Sequence, residues 1–152
     1  SAVAAAKADC IVSANFCPEF CQPDYAFFTN SKRFEKLDLA SLPCPVVLTS
    51  NLRPLPQGAL AVNYDRLAAP DVQNASLGSN SVLMLLRLLR LCGAKAVLLA
   101  GADGYKPGTP AYADSLLHAH TGRGAAFNTA MAGAIKACGL DVTFITPSEY
   151  AK

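Results

Sequence analysis

The sequence predicts an α/β fold: an open, mostly parallel Rossmann-like sheet of five or six strands with helices on both faces. Three observations carry that expectation. Short β-rich runs alternate with helical patterns along the 152 residues, the order expected of a layered α/β domain. Two of the helical patterns end at Gly93 and Gly139 and re-enter a strand pattern after one or two residues, the short link of a doubly wound sheet. Hydrophobic residues make up 52% of the chain and charged residues 16%, a balance that suits strands covered on both faces. Residues 1–9, SAVAAAKAD, read as a linker or remnant ahead of one domain spanning residues 10–152.

In chain order the strand candidates are CIVSAN (10–15), DYAFFTN (24–30), PVVLTSN (45–51), ALAVNY (59–64), AKAVLLAG (94–101) and DVTFITPS (141–148). Each is rich in Val, Ile, Phe or Leu, and turn residues bound most of them. Helical patterns cover SKRFEKLD (31–38), SNSVLMLLRLLRLCG (79–93) and AAFNTAMAGAIKACG (125–139). The second of these is the clearest. Ser79 or Asn80 can cap it, leucines recur at 83, 86, 89 and 91, and Arg87 and Arg90 fall on the other side. As a dimer interface this helix would need a second face more apolar than those arginines allow.

Composition narrows the partners. A net charge of +2 with no run of Lys and Arg speaks against nucleic acid and against an anionic membrane surface. No apolar run approaches the ~20 residues that cross a bilayer, and the amino terminus lacks a basic-then-apolar leader pattern. The six cysteines stand at 10, 17, 21, 44, 92 and 138. Cys10 opens an apolar strand, while Cys92 and Cys138 sit beside helix-ending glycines, so they read as small buried hydrophobes of a reduced, cytoplasmic protein. Cys17-Pro-Glu-Phe-Cys21 has one close pair where a zinc site wants two, and reads as a loop; no metal site is expected.

The strand ends point to a site. Asn15, Asn30 and Asn51 end three strand patterns and Asn63 lies just before the end of a fourth, out of seven asparagines in the chain. Ser13, Thr29, Thr49 and Ser50 stand beside three of them. In a parallel sheet these side chains gather on one edge, where open α/β folds bind ligands. Uncharged amides offer donors and an acceptor that suit sugar hydroxyls, a ribose or a nucleobase edge. Each asparagine taken singly also fits a turn or a helix cap.

The fifth strand ends in VLLAGADGYKPG (97–108), where Asp103 and Gly104 join the same rim; the sixth brings Ser148. The glycine spacing is not that of G-x-G-x-x-G, and Asp-Gly is equally a turn pair. His118 and His120 are the only histidines. A helix would splay them, so a lone catalytic base suits them better than a metal site. Arg123 just before the third helix, and Lys32 with Arg33 after Asn30, form two small basic spots suited to an anion; an ordinary flexible lead into a helix explains the first as well.

Several stretches together resemble a known family. PDYAFFTNSKRF, VVLTSNL, AVNYDRL, NSVLMLLRLL, VLLAGADGY and FITPSEY are similar to the region after the barrel in aldolases of the HMG-CoA lyase-like (DRE-TIM metallolyase) group. The likeness is strongest to bacterial 4-hydroxy-2-oxovalerate aldolase-like proteins with an extra carboxyl-terminal α/β domain, and it spans about Cys10 to Tyr150. It implies a parent aldolase or lyase whose divalent metal and chemistry lie in an amino-terminal barrel that 152 residues cannot contain. The present chain would then be an accessory domain without a cofactor of its own. Its partners would be that barrel, a small polar ligand and a possible second copy of itself. His118 and His120 lack the barrel-strand context of the family's metal-binding pair. The pattern from Gly93 to Gly104, G-A-K-x-V-x-L-x-G-x-D-G, also resembles a motif of Rossmann-like sugar-transferring proteins, including bacterial sialyltransferases, in which strand-end amides hold the nucleotide of the donor sugar. That likeness implies the alternative of a nucleotide-sugar-binding, glycosyltransferase-like domain with activity of its own.

Overall fold

The computed structural model describes residues 6–15, 21–36, 38, 41–68, 75–106 and 124–152. The predicted class holds: the protein is an open α/β fold of Rossmann-like character, and every strand pairing among the described residues is parallel. Strands β1 (Val12–Ala14), β2 (Tyr25–Phe28), β3 (Val46–Thr49) and β4 (Leu60–Val62) form a four-stranded sheet in the order β1-β2-β3-β4. Strands β5 (Ala96–Leu99) and β6 (Asp141–Phe144) form a separate two-stranded sheet. The helices are α1 (Ser31–Phe34), α2 (Tyr64–Leu67), α3 (Ala75–Gly78), α4 (Ser81–Leu91) and α5 (Ala125–Ala137), and a 3₁₀ turn covers Glu149–Ala151.

The alternation of side chains along β2 and β3 builds two cores at once. Ala26, Phe28, Val46 and Leu48 face Phe34 of α1 and Leu52. Phe27 and Val47 face the opposite way, onto Leu67 of α2 and Met84 and Leu85 of α4. Helices therefore cover both faces of this sheet. The crossover from β3 to β4, residues 50–59, contains no helix, and the fully buried Leu52 extends the α1 side of the core instead.

A single sheet of five or six strands is corrected to four plus two. The physical reason lies in α4. Its Met84 and Leu85 pack on the four-stranded sheet, whereas Leu83 and Leu86 join a third core with Met131 and Ile135 of α5, against which Val97, Leu99, Val142 and Phe144 pack. The two sheets thus share a helix rather than a hydrogen-bonded seam. The second sheet is covered on one face only among the described residues; Ala96, Leu98, Asp141 and Thr143 of its other face are exposed.

The two arginines of α4 act as clamps. Arg87 Nη1 donates to the carbonyls of Leu67 and Gly78 at 2.6 and 3.3 Å, and Arg90 Nη1 to that of Cys138 at 2.9 Å. Hydrogen bonds from a charged donor contribute about 1.5–3 kcal/mol. Arg87→Ala is therefore expected to cost about 2 kcal/mol, read as a lower urea midpoint at unchanged slope. The exposed Arg66→Ala should stay within ~0.5 kcal/mol of the parent; equal losses in the two variants would remove the clamp.

Gly93 and Gly139 leave their helices with φ of +92° and +69°, as the sequence predicts. The cysteines depart from expectation in part. Cys138 is buried, but Cys10 and Cys92 are exposed. Cys10 precedes β1 by two residues and Cys92 is the exposed carboxyl cap of α4. Burial pushes the Cys138 thiol up against the opposing pull of Arg87 and Arg90. Cys10, Cys21, Cys92 and Cys138 are free thiols; Cys17 lies outside the described residues.

Candidate functional site: the carboxyl edge of the four-stranded sheet

Four parallel strands bring Asn15, Thr29 with Asn30, Thr49 to Asn51, and Asn63 to one edge. Asn15 follows β1 directly. Its backbone N–H continues the ladder by donating to the Phe27 carbonyl at 2.9 Å, yet its φ is +67°, the only positive value at a non-glycine among the described residues. Its side chain is buried at 8% exposure, and Oδ1 has no hydrogen-bond partner among the described residues. Left-handed backbone and an unmatched buried carbonyl are two separate costs at one residue, the second about 1–3 kcal/mol.

The neighbouring polar groups are engaged with one another. Thr29 Oγ1 and Ser81 Oγ lie 2.8 Å apart and share one hydrogen bond, which ties the end of β2 to the first residue of α4. Asn51 Nδ2 donates to the Thr29 carbonyl at 3.2 Å, and the buried Thr49 Oγ1 to that of Phe28 at 3.3 Å. Ser50 Oγ accepts from the Tyr64 backbone at 3.0 Å. Asn63 is a helix cap: its Oδ1 accepts from the Arg66 backbone at 3.2 Å. Asn80 caps α4 in the same way, accepting from Val82 and Leu83 at 3.0 and 3.3 Å. Asn30 stands at the amino end of α1 without a side-chain capping bond and is exposed with Lys32, while Arg33 is half-buried.

Asp103, Gly104 and Ser148 belong to the second sheet, so the six-strand rim expected from the sequence divides in two. Their loop is held as a structural closure. The Asp103 carbonyl accepts from the Glu149 backbone at 2.8 Å, and Ser148 Oγ donates to the Ala102 carbonyl while accepting from the Tyr150 backbone. Asn128 exchanges two hydrogen bonds with the Tyr105 backbone, at 3.0 and 2.8 Å, and the Tyr105 ring meets Phe127 edge-on at 5.4 Å. The Glu149 carboxyl is held below its ordinary range, first by the hydrogen bond from Lys152 and then by the charges of Lys152 and Lys106, against some desolvation. Ser148 thus acts as a cap, and Asp103 keeps an exposed carboxylate at the tip.

Two residues of these networks escape a reading of strand ends, Ser81 and Asn128. Asn128 had a signal: its spacing to Met131, Ala132 and Ile135 places it on the buried face of α5. His118, His120 and Arg123 lie outside the described residues. Among the described residues no three His, Cys, Asp or Glu side chains are grouped to hold a metal ion, and no helix is long and apolar enough to cross a membrane.

The fold defines the class, an open parallel α/β protein with an amide-rich polar edge. Compared with protein-family models, curated proteins and solved structures, the chain matches none of them.

Proposed function

We propose that the chain is an accessory, carboxyl-terminal α/β domain of an aldolase or lyase. It binds a small polar ligand at the carboxyl edge of β1 to β3, and the carbon–carbon chemistry belongs to a barrel outside these residues. The observation that carries the binding site is Asn15: a strained backbone and a buried, unmatched carbonyl together cost stability, and such costs persist where a ligand uses them. The resemblance of the strand-end stretches to the domain that follows the barrel in HMG-CoA lyase-like aldolases supports the accessory role. The uncharged amides of Asn15 and Asn51 also support the second reading, a nucleotide-sugar-binding domain with its own transfer activity.

A thermal-shift screen with CMP, UDP and their sugars separates the two. A ligand at a hundredfold excess over its Kd adds about 2.7 kcal/mol, several degrees for a chain of this size. The sugar-nucleotide reading expects that shift, and no shift from any of them overturns it. The accessory reading expects the native reading frame to encode a barrel of about 250 residues upstream; an upstream region too short for one overturns it.

Asn15→Gly tests the site itself. Glycine takes the left-handed backbone without strain and removes the unmatched carbonyl, so the variant should melt at the same temperature as the parent or higher. Any ligand-induced shift should be lost with it, as with Asn51→Ala. A sharp loss of stability would mean that Asn15 serves the fold, and the proposed site would fall.

A further inference from the structure

Resting on the strand-edge site above, we infer that this edge selects a neutral group that presents an N–H or O–H donor, with Asn15 Oδ1 as the atom that receives it. The ligand class is then a carboxamide, an amino-substituted nucleobase or a sugar hydroxyl, and an anion such as phosphate is not the recognised part.

The argument starts from what the edge has left to offer. Asn15 is more than nine-tenths buried, and its side-chain oxygen is an acceptor with no donor among the described residues. A carbonyl oxygen accepts and never donates, so the group that completes it carries hydrogen. The ladder bond from Asn15 N–H to the Phe27 carbonyl sets this residue at the end of β2, two positions before Thr29 in the register of the bond. There the Thr29 and Ser81 hydroxyls share one hydrogen bond. Two hydroxyls hold two hydrogens and use one between them, so the pair keeps one donor for a ligand.

The obvious anion device at this edge is largely taken up by the chain's own acceptors. The amino end of α4, a helix of 11 residues, would attract phosphate through its first free N–H groups. Asn80 Oδ1 already takes the N–H of Val82 and Leu83, and the Asn80 carbonyl takes that of Met84. Arg53, in the loop after β3, directs Nη1 to the carbonyls of Ser50 and Leu52 at 2.8 and 2.7 Å. Lys32 stays exposed beside Asn30, so the phosphate arm of the test decides between that cation and the uncharged acceptor of Asn15.

The test uses matched probes on the ¹⁵N-labelled chain, followed by backbone-amide NMR at Asn15, Thr29 and Ser81. Adenosine is paired with purine riboside, which lacks the amino group; methyl glucoside is paired with its tetramethyl ether; inorganic phosphate is the anion arm. In at least one pair the donor-bearing member should bind about tenfold or more tightly, the worth of one buried hydrogen bond, and the pair that discriminates tells base from sugar. Asn15→Gly should erase the difference. Edge amides that move equally for both members of each pair, or most strongly for phosphate, would overturn the inference while leaving the site. Discrimination that survives in Asn15→Gly would also overturn it, by removing Asn15 as the reader. No edge amide moving with any probe counts against both this inference and the site beneath it.

Discussion

Phe28→Ala is expected to lower stability by about 3–5 kcal/mol, the range for emptying a large buried aromatic site. Phe28 is fully buried in the centre of the four-stranded sheet, in one cluster with Ala26, Phe34, Val46, Leu48 and Leu52. The cost should be high because the site cannot collapse. β1 and β3 hold β2 by hydrogen bonds on both sides, and the opposite face is filled by Phe27, Met84 and Leu85. For a chain of this length each kcal/mol moves the melting point by about 2–4 °C, so a fall on the order of 10 °C should appear by circular dichroism. Leu98→Ala provides the comparison. Leu98 is 43% exposed on the outward face of β5, and its loss should cost well under 1 kcal/mol. Similar losses at the two positions would mean that the four-stranded sheet is not the main core.

Gly104→Val is expected to cost about 2–5 kcal/mol by two separable routes. The residue has φ +81°, and a Cβ there would lie 2.8 Å from Glu149 Cβ, 3.1 Å from Tyr150 Cε1 and 3.3 Å from Asn128 Oδ1. A side chain in left-handed backbone costs about 1–2 kcal/mol, and forcing apart a packed contact about 1–3 kcal/mol. The Glu149 neighbour is a Cβ, fixed to its backbone, and cannot swing aside as a side-chain tip can. Gly101→Ala isolates the first route: its φ is +69° and a Cβ there meets nothing within 4 Å. It should therefore cost only the left-handed term. Chemical denaturation of both variants checks this, and equal costs at 101 and 104 would show that the close approach to Glu149 and Tyr150 contributes nothing.

The comparison bears on function, because it treats the Asp103 loop as part of the fold. From the sequence that loop and the four strand-end asparagines form one rim. In the structure the carbonyl of Asp103, the hydroxyl of Ser148 and the amide of Asn128 close a turn between α5 and the carboxyl terminus. The asparagines after β1 to β4 do lie along one edge, as expected. Their spacing along the chain does not distinguish a cap from a ligand group, since both follow the same rule that strand ends and helix starts favour Asn. The partners distinguish them: Asn63 caps α2, Asn51 binds the end of β2, and Asn15 keeps an unmatched oxygen.

Helices divide in the same manner. α4 and α5 are legible because 11 and 13 residues give full turns of apolar spacing and each ends at a glycine. The four-residue α2 and α3 are not legible, since one turn carries no period and tertiary packing decides it.

The sequence by itself determined the mostly parallel α/β class, the six strands found among the described residues, the helices α4 and α5 with their glycine exits, and the gathering of amides at strand ends. These rest on local properties, namely apolar runs, side-chain periodicity and backbone preference. Tertiary structure alone decided that the strands divide into four and two, that Arg87 and Arg90 clamp backbone carbonyls, and that Asn15 bears both the strain and the unmatched oxygen. Each of those depends on which groups meet across long stretches of chain, and a residue's type states what it can bond without stating what it finds.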